Sequence, residues 1–503
     1  MRHSRVRFAR RRCWALALRR RCAVGKKGKV WLVGAGPGDP GLMTQRGLDA
    51  LRRADVILYD RLVHPVILLK ASPHAVWVDA GKTPRGRRME QKEIHRLLIS
   101  HAAKGKRVVR LKGGDPFIFG RGGEEAEALV KAKIPFEVIP GVTAGIAGPA
   151  YAGIPVTQRG ISTELLFRIG ARAEGSVRGK TLVGYMTVEG MVEFLERALD
   201  LGFTHSTPAG VIEWATTARQ RVITGTIGTL TTLARRENIS APAIVVVGSV
   251  VSLRKKLKWW EGRVLAGKRI VLTASETLGK GWRECFEDLG AEVWEIPMTH
   301  IQPLTPDPGW ISKIEKAQWL VFTSASAVRC FPKAVGDLRK VAGCKIAAVG
   351  KATADVLRTI GLEADWIGRG TGSDELVQGW PPWAKGRILH LTGSAGDDTM
   401  IQLFRKRGYL ADRIMIYRNQ GGRSVPKPVQ DALREEGADW LVFASGTAAI
   451  RFRRLFPRLK KIRHVVAIGA ATARAAHQAG WKVSCVAKEP SAQGVLRAMI
   501  KVS

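Results

Sequence analysis

Apolar runs of strand length recur along this chain, and in the first third each ends on a glycine-rich turn. Lys29-Val30-Trp31-Leu32-Val33 leads into Gly34-Ala35-Gly36-Pro37-Gly38-Asp39-Pro40. Arg107-Val108-Val109-Arg110-Leu111-Lys112 leads into Gly113-Gly114-Asp115-Pro116-Phe117-Ile118-Phe119-Gly120. Phe136–Ile139 leads into Pro140-Gly141-Val142-Thr143-Ala144-Gly145. A short apolar run bounded by a turn and then a helical pattern predicts a strand within an α/β sheet. Three such turns place a ligand at the carboxyl ends of the strands.

The second half repeats itself. Arg269-Ile270-Val271-Leu272-Thr273-Ala274-Ser275 returns as Arg387-Ile388-Leu389-His390-Leu391-Thr392-Gly393-Ser394, about 119 residues later. Trp319–Phe322 with Thr323-Ser324 returns as Trp440-Leu441-Val442-Phe443-Ala444-Ser445. Gly350-Lys351-Ala352-Thr353-Ala354 returns as Gly469-Ala470-Ala471-Thr472-Ala473. Matches in one order at a nearly constant offset indicate domain duplication rather than a short-period solenoid. Each copy alternates apolar strands with amphipathic helices, which predicts parallel sheets wound by helices. The repeated Ser and Thr fall just after strands, where they suit N-caps and also carboxylate-binding helix starts.

Composition changes this picture in one respect. The 503 residues carry 82 Lys+Arg against 43 Asp+Glu, a formal net charge of +39. Residues 1–29 hold +12 of it with no acid, residues 30–265 hold +13, and residues 266–503 hold +14. The Arg-rich start therefore reads as a separate, disordered extension over 1–28, with an organelle transit peptide as the other reading. No aromatic-interleaved basic stripe or zinc-finger spacing appears, so nucleic-acid binding is not the main function expected. A moderately basic body suits a highly anionic small substrate. No uncharged apolar run approaches the roughly 20 residues of a membrane-spanning helix. Cys13, Cys22, Cys285, Cys330, Cys344 and Cys485 lack CxxC spacing, which points to a reducing, cytoplasmic setting and to no Cys-based metal site.

The first glycine turn departs from a dinucleotide fingerprint, because Asp39 and Pro40 stand where a third glycine would approach the pyrophosphate. A nicotinamide-dependent oxidoreductase is the alternative enzyme class built on that turn. In the second turn, paired glycines admit close backbone approach, and Asp115 can bind a hydroxyl or ammonium group or simply cap a helix.

GAGPGDPGLMT, ADVILYDRLV, GKRVVRLKGGDPFIFGRGGEEAEAL, PFEVIPGVTAGIAGPAYAGIPVTQRG and RQRVITGT resemble uroporphyrinogen-III C-methyltransferase over about residues 29–258. The resemblance implies two α/β domains with S-adenosylmethionine between them, no metal, and two methyl transfers that convert uroporphyrinogen III to precorrin-2. It implies cofactor contacts at Pro37, Gly113, Gly114, Asp115, Ile118, Thr143, Ala144, Met186 and Ala215. Met186 would otherwise read as core. Ala215 replaces the usual glycine after Glu213-Trp214, and Gln158-Arg159-Gly160-Ile161 departs from the usual His-Arg-Asp-Tyr. Asp60 and Lys82 match the family's acid–base pair, where a carboxylate takes the pyrrole N–H proton and an ammonium donates a proton or holds charge. Arg61 is placed to clamp a substrate carboxylate. A homodimer through this half is implied. A relative acting on a later corrin intermediate, with an inactive second half, is the other reading.

VFTSASAV, IAAVGKATADVL, GYLADRIMIYR and VVAIGAATARAA make residues 266–503 similar to uroporphyrinogen-III synthase. That implies two flavodoxin-like lobes joined by a two-stranded connector, one lobe from 266–300 plus 419–503 and the other from 301–418. Tyr417 matches the candidate acid for loss of the bilane hydroxyl, with Ser324, Thr353, Ser445 and Thr472 as substrate-facing hydroxyls. The whole is then a methyltransferase over 29–253 (subdomains 29–142 and 143–253), a linker over 254–265, and a synthase. The second half's product is the first half's substrate. Hydroxymethylbilane would be closed to uroporphyrinogen III and then methylated, towards sirohaem or cobalamin.

Overall fold

A computed structural model describes residues 28–502 apart from 82–88, 170–178, 306–307, 370–372, 395 and 423. The basic extension, Cys13, Cys22 and Lys82 lie outside the described residues. The described residues form four sheets. The first contains β1 (Lys29–Gly34), β2 (Val56–Tyr59), β3 (Val76–Asp79), β4 (Arg107–Lys112) and β5 (Phe136–Ile139), in the order β3-β2-β4-β1-β5. All its pairings are parallel. β1 and β4 are interior strands, which is why most of their side chains are buried, Arg110 and Lys112 included.

The second sheet is mixed. It holds β6 (Glu164–Ile169), β7 (Lys180–Tyr185), β8 (Pro208–Glu213), β9 (Arg221–Thr226) and β10 (Ala243–Val247), in the order β6-β7-β10-β8-β9. Only β6 and β7 run parallel, and the other pairings are antiparallel. The Arg254–Leu257 helix closes this half, and Trp259 donates from its indole N–H to the Ala150 carbonyl at 2.9 Å.

The chain continues through β11 (Arg269–Leu272), β12 (Glu292–Glu295), β13 (Thr299–Pro303), β14 (Trp319–Phe322), β15 (Lys345–Ala348), β16 (Trp366–Ile367), β17 (Ile388–Gly393) and β18 (Ala411–Gly421). It then returns with β19 (Ala438–Phe443), β20 (Ile462–Ala467) and β21 (Cys485–Val486) to complete the sheet begun by β11 and β12. That third sheet, β12-β11-β19-β20-β21, is wholly parallel. The fourth, β13-β18-β17-β14-β15-β16, is parallel except at its edge, where β13 pairs antiparallel with β18 from Thr299↔Gly421 to Pro303↔Tyr417. The expected parallel sheets are present in this half, and among the described residues this edge pairing is the one exception. The chain crosses between the two sheets once outward and once back, and crossings in opposite directions pair antiparallel.

The halves are packed together rather than strung apart. Val66, Ile67 and Leu68 from the first sheet's side share one apolar core with Trp294, Val429, Leu433 and Phe452 from the third sheet's side. Lys70 donates to Glu295 at 3.0 Å beside that core.

Candidate functional site

The three glycine turns lock onto one another through backbone. Gly36 N–H donates to the Gly114 carbonyl at 3.2 Å, and Gly114 N–H donates back to Gly36 at 2.7 Å. A Cβ on Gly34 would lie 2.5 Å from Gly141 N and 2.6 Å from Gly114 O, so no other residue fits there. Asp115 ties the second turn to the third: Oδ1 accepts from Phe117 N–H at 2.8 Å and Ile118 N–H at 3.2 Å, and Oδ2 accepts from Gly141 N–H at 3.0 Å. Asp115 thus closes a turn rather than capping a helix, since the next helix begins only at Gly122, and each oxygen keeps lone-pair capacity for a further donor.

Residues from the second sheet close round these turns. The Tyr185 hydroxyl at the end of β7 bonds Thr143 Oγ1 at 2.8 Å and accepts from Gly145 N–H at 2.9 Å, at the start of the Ala144–Tyr151 helix. Phe119 meets the Tyr185 ring edge-on at 4.9 Å. Asp39 faces this second unit too, accepting from the Tyr151 hydroxyl at 2.6 Å while its N–H donates to Thr216 Oγ1 at 3.0 Å. Phe119, Arg121, Met186, Trp214 and Thr216 all have positive φ, from 45° to 68°. Left-handed backbone without glycine persists where packing over-determines it, commonly at ligand sites. Met186, next to Tyr185, is 68% exposed rather than part of the core. Pro37, Gly113, Gly114 and Ala144 are half-buried, Thr143 and Ala215 are buried, and Ile118 is exposed.

This donor set fits S-adenosylmethionine. A side chain on Gly114 would approach nothing closer than Ala144 N and Thr143 Cα at 3.8 Å, which leaves open backbone beside the Asp115 carboxylate. Ile118 and Met186 offer exposed apolar surface, and Asp115 offers negative charge for a cationic ligand.

Asp60 follows β2 at the same strand ends, partly exposed. Its Oδ1 accepts from Arg110 Nη2 at 2.5 Å, and Lys112 Nζ lies 3.9 Å from Oδ2. Beneath them Glu125 is fully buried, and its Oε1 accepts from Arg110 Nε at 3.0 Å, Lys112 Nζ at 3.1 Å and Gln91 Nε2 at 3.1 Å. Glu125 Oε2 has no partner among the described residues. Burial pulls the Lys112 ammonium below the usual lysine range, with the Arg110 charge acting the same way. Burial opposes the Arg110 charge as well, but Asp60 and Glu125 outweigh it and hold the guanidinium firmly protonated. Sequence reasoning missed Arg110, Lys112, Glu125, Tyr151 and Tyr185. The first two left a signal, as charges at alternate positions of an apolar run. Arg61, next to Asp60, is exposed.

In the second half Tyr417 is buried, with its hydroxyl 3.3 Å from Ser324 Oγ. Register between β17 and β18 shifts at Thr392/Gly393, which sets Tyr417 opposite Gly393. A Cβ on Gly393 would lie 2.3 Å from the Tyr417 ring, so the tyrosine lies on bare backbone. Burial raises the phenol pKa above its usual value. Ser324 and Ser445 also cap their helices, accepting from Ala327 N–H at 3.1 Å and Ala448 N–H at 3.2 Å. Thr353 and Thr472 are buried at the starts of equivalent helices, Lys351–Arg358 and Ala470–Gln478. Ser324, Thr353 and Tyr417 thus belong to the fourth sheet's lobe, and Ser445 and Thr472 to the third's. His390 was not foreseen: it is buried in β17, bonded to Thr323 Oγ1 at 2.9 Å, and burial with the Arg413 charge lowers its pKa to about 4.

Comparison with known proteins gives two non-overlapping matches. Residues 29–231 match the tetrapyrrole (corrin/porphyrin) methylases, and residues 280–497 match uroporphyrinogen-III synthase HemD. A porphyrin biosynthesis protein HemD from Ruminiclostridium josui is 33% identical over 425 residues, covering 80% of this chain and 84% of that one. A uroporphyrinogen-III C-methyltransferase from Bacillus subtilis is 47% identical over 247 residues, 47% of this chain and 96% of that one. A siroheme synthase from Ectopseudomonas mendocina is 47% identical over 244 residues, 47% of this chain and 53% of that one.

Proposed function

Since the chain belongs to the family in which a tetrapyrrole methylase is joined to a uroporphyrinogen-III synthase, we propose that both halves are catalytic. The second half cyclises hydroxymethylbilane to uroporphyrinogen III. The first half methylates that product twice to precorrin-2, on the branch towards sirohaem or cobalamin. The observation that carries the methyltransferase reading is Asp60. A partly exposed carboxylate, aimed by a buried arginine, stands at the same strand ends as three interlocked glycine turns.

Pro37, Gly113, Gly114, Asp115, Ile118, Thr143, Ala144, Met186 and Ala215 would hold S-adenosylmethionine, which when bound supplies an already activated sulfonium methyl group. Asp60 accepts the pyrrole N–H proton as positive charge develops on the substrate ring. Arg110 keeps that carboxylate pointed, and Arg61 clamps a substrate carboxylate. By the same resemblance, the Lys82 ammonium donates a proton or holds charge elsewhere. In the synthase half, Tyr417 protonates the departing hydroxyl. Burial keeps its phenol protonated at neutral pH, as an acid must be. Ser324 orients the phenol, while Thr353, Ser445 and Thr472 supply hydroxyls to substrate carboxylates. Uroporphyrinogen has eight carboxylates, which a positive balance in both halves suits.

The test is direct. Purified full-length chain given hydroxymethylbilane and S-adenosylmethionine should accumulate precorrin-2. Formation of only the spontaneously cyclised, type I ring would overturn the synthase assignment. Failure to methylate uroporphyrinogen III supplied directly would overturn the methyltransferase assignment.

A further inference from the structure

Glu292, the first residue of β12 in the synthase half, has a buried carboxylate that takes donors from three separate units. Arg269 Nε at 2.6 Å and Trp294 Nε1 at 2.7 Å come from its own sheet and meet Oε1. His64 Nε2, from the turn after β2 in the first sheet, lies 3.3 Å from the same oxygen. Oε2 accepts from the backbone N–H of Ala218 at 2.8 Å, in the turn between β8 and β9 of the second sheet. Burial alone would raise this carboxyl, but His64, Arg269 and the Ala218 N–H outweigh it and keep it ionised.

The Ala218 turn also borders the candidate cofactor site. It contains Ala215 and the left-handed residues Trp214 and Thr216. Thr216 Oγ1 accepts from Asp39 N–H at 3.0 Å, two residues beyond Pro37. A Cβ on Gly38 would meet Thr217 Cγ2 at 2.7 Å and Thr216 Oγ1 at 2.9 Å, so this turn presses directly on the first glycine turn. A second tie runs alongside: Arg219 pairs with Glu436 of the synthase half and stacks over Trp214 at 4.9 Å, while Glu436 also pairs with Arg269 at 2.7 Å. Trp294 and His64 meet edge-on at 5.7 Å against the shared apolar core, so the anchor is fixed.

We propose that Glu292 is a positioning residue of the methyltransferase half, supplied by the synthase half. It pins the Trp214–Arg219 turn and thereby the Pro37 and Ala215 walls of the cofactor site. Left-handed residues hold their conformation only when several contacts fix them, and two of those contacts here come from the other half. The inference rests on the reading that this site takes S-adenosylmethionine.

The test uses full-length chain, with S-adenosylhomocysteine as the calorimetric probe and amide exchange read over residues 214–220. Glu292→Gln keeps the shape but replaces one accepting oxygen with an NH₂ group that faces a donor. It should weaken the probe by about fivefold or more, as a coupling between sites does. It should also speed exchange at Ala218 and leave bilane cyclisation unchanged, which reports that the synthase half is folded. If that variant loses cyclisation through misfolding, Arg219→Met, which removes the outer tie and the stack on Trp214 but leaves Glu292 and its donors in place, must produce the same loosening and weaker binding. Unchanged affinity and unchanged exchange in the folded variant would overturn the proposal. Wild-type chain that binds no S-adenosylhomocysteine would instead overturn the cofactor reading beneath it.

Discussion

Arg110 reaches out of the core to hold Asp60 at 2.5 Å, so the carboxylate at the strand ends is aimed by a residue that is itself buried. Asp60→Asn keeps the size of the side chain and removes the base. Methylation of supplied uroporphyrinogen III should fall by about 10²-fold or more. Binding of S-adenosylhomocysteine by calorimetry should be retained, because Asp60 is not among the cofactor contacts. Comparable losses in both measurements would count against a base role.

Arg110→Met addresses stability as much as catalysis. It leaves fully buried Glu125 with Lys112 and Gln91 but without its guanidinium, and Asp60 without its anchor. Breaking a buried pair from one side costs about 3 kcal/mol or more. Urea denaturation followed by tryptophan fluorescence would read this loss.

Two glycine substitutions separate strain from collision. Gly114→Ala meets only ordinary contacts at φ +66°, so its cost should be the left-handed backbone alone, about 1 kcal/mol. Gly145→Ala puts Cβ 2.1 Å from the Tyr185 hydroxyl, which must leave Thr143 and the Gly145 N–H. Overpacking of that kind costs about 1–3 kcal/mol. Gly145→Ala should therefore be the less stable of the two by thermal melting. Equal melting points would show that Tyr185 moves aside freely.

Tyr417→Phe keeps the ring lying on Gly393 and deletes the hydroxyl that meets Ser324. Cyclisation to the type III isomer should slow by about 10²-fold if the phenol is the acid. Methylation of supplied uroporphyrinogen III should be unaffected. An unchanged type III yield would assign Tyr417 to packing.

His390 makes the synthase half sensitive to acid. Its folded pKa of about 4 lies below the 6.5 of an unperturbed imidazole, because burial and then Arg413 disfavour the cation. As pH falls below 6.5 the unfolded chain takes up a proton that the folded chain refuses until about pH 4, so stability drops across that window. The drop should reach roughly 3 kcal/mol. In His390→Gln that contribution vanishes, and the difference in denaturation midpoint between pH 7 and pH 4.5 should shrink accordingly.

The glycine turns were legible because their requirement is local: a strand run, a close approach and a helix start occupy a dozen contiguous residues. Arg110 and Lys112 were visible as charges inside an apolar run, but their partners were not. Asp60 lies 50 residues away from Arg110 and Glu125 lies 15 away, in a run of glutamates that reads equally well as an exposed helix start. Ser324 and Ser445 were readable as caps, and the structure shows each capping its helix. The antiparallel direction of β13 was not legible, because apolar runs carry no information on strand direction.

By itself, then, the sequence determined the α/β class, the duplication, the two families and the turns on which a ligand can rest. Each of these is written in short-range periodicity or in the residue types that a given backbone conformation demands. Which charge meets which was decided only in three dimensions. A buried ion must be compensated where packing happens to bring an opposite group, and Glu292 finds its backbone donor 74 residues earlier, in a different sheet of the other half.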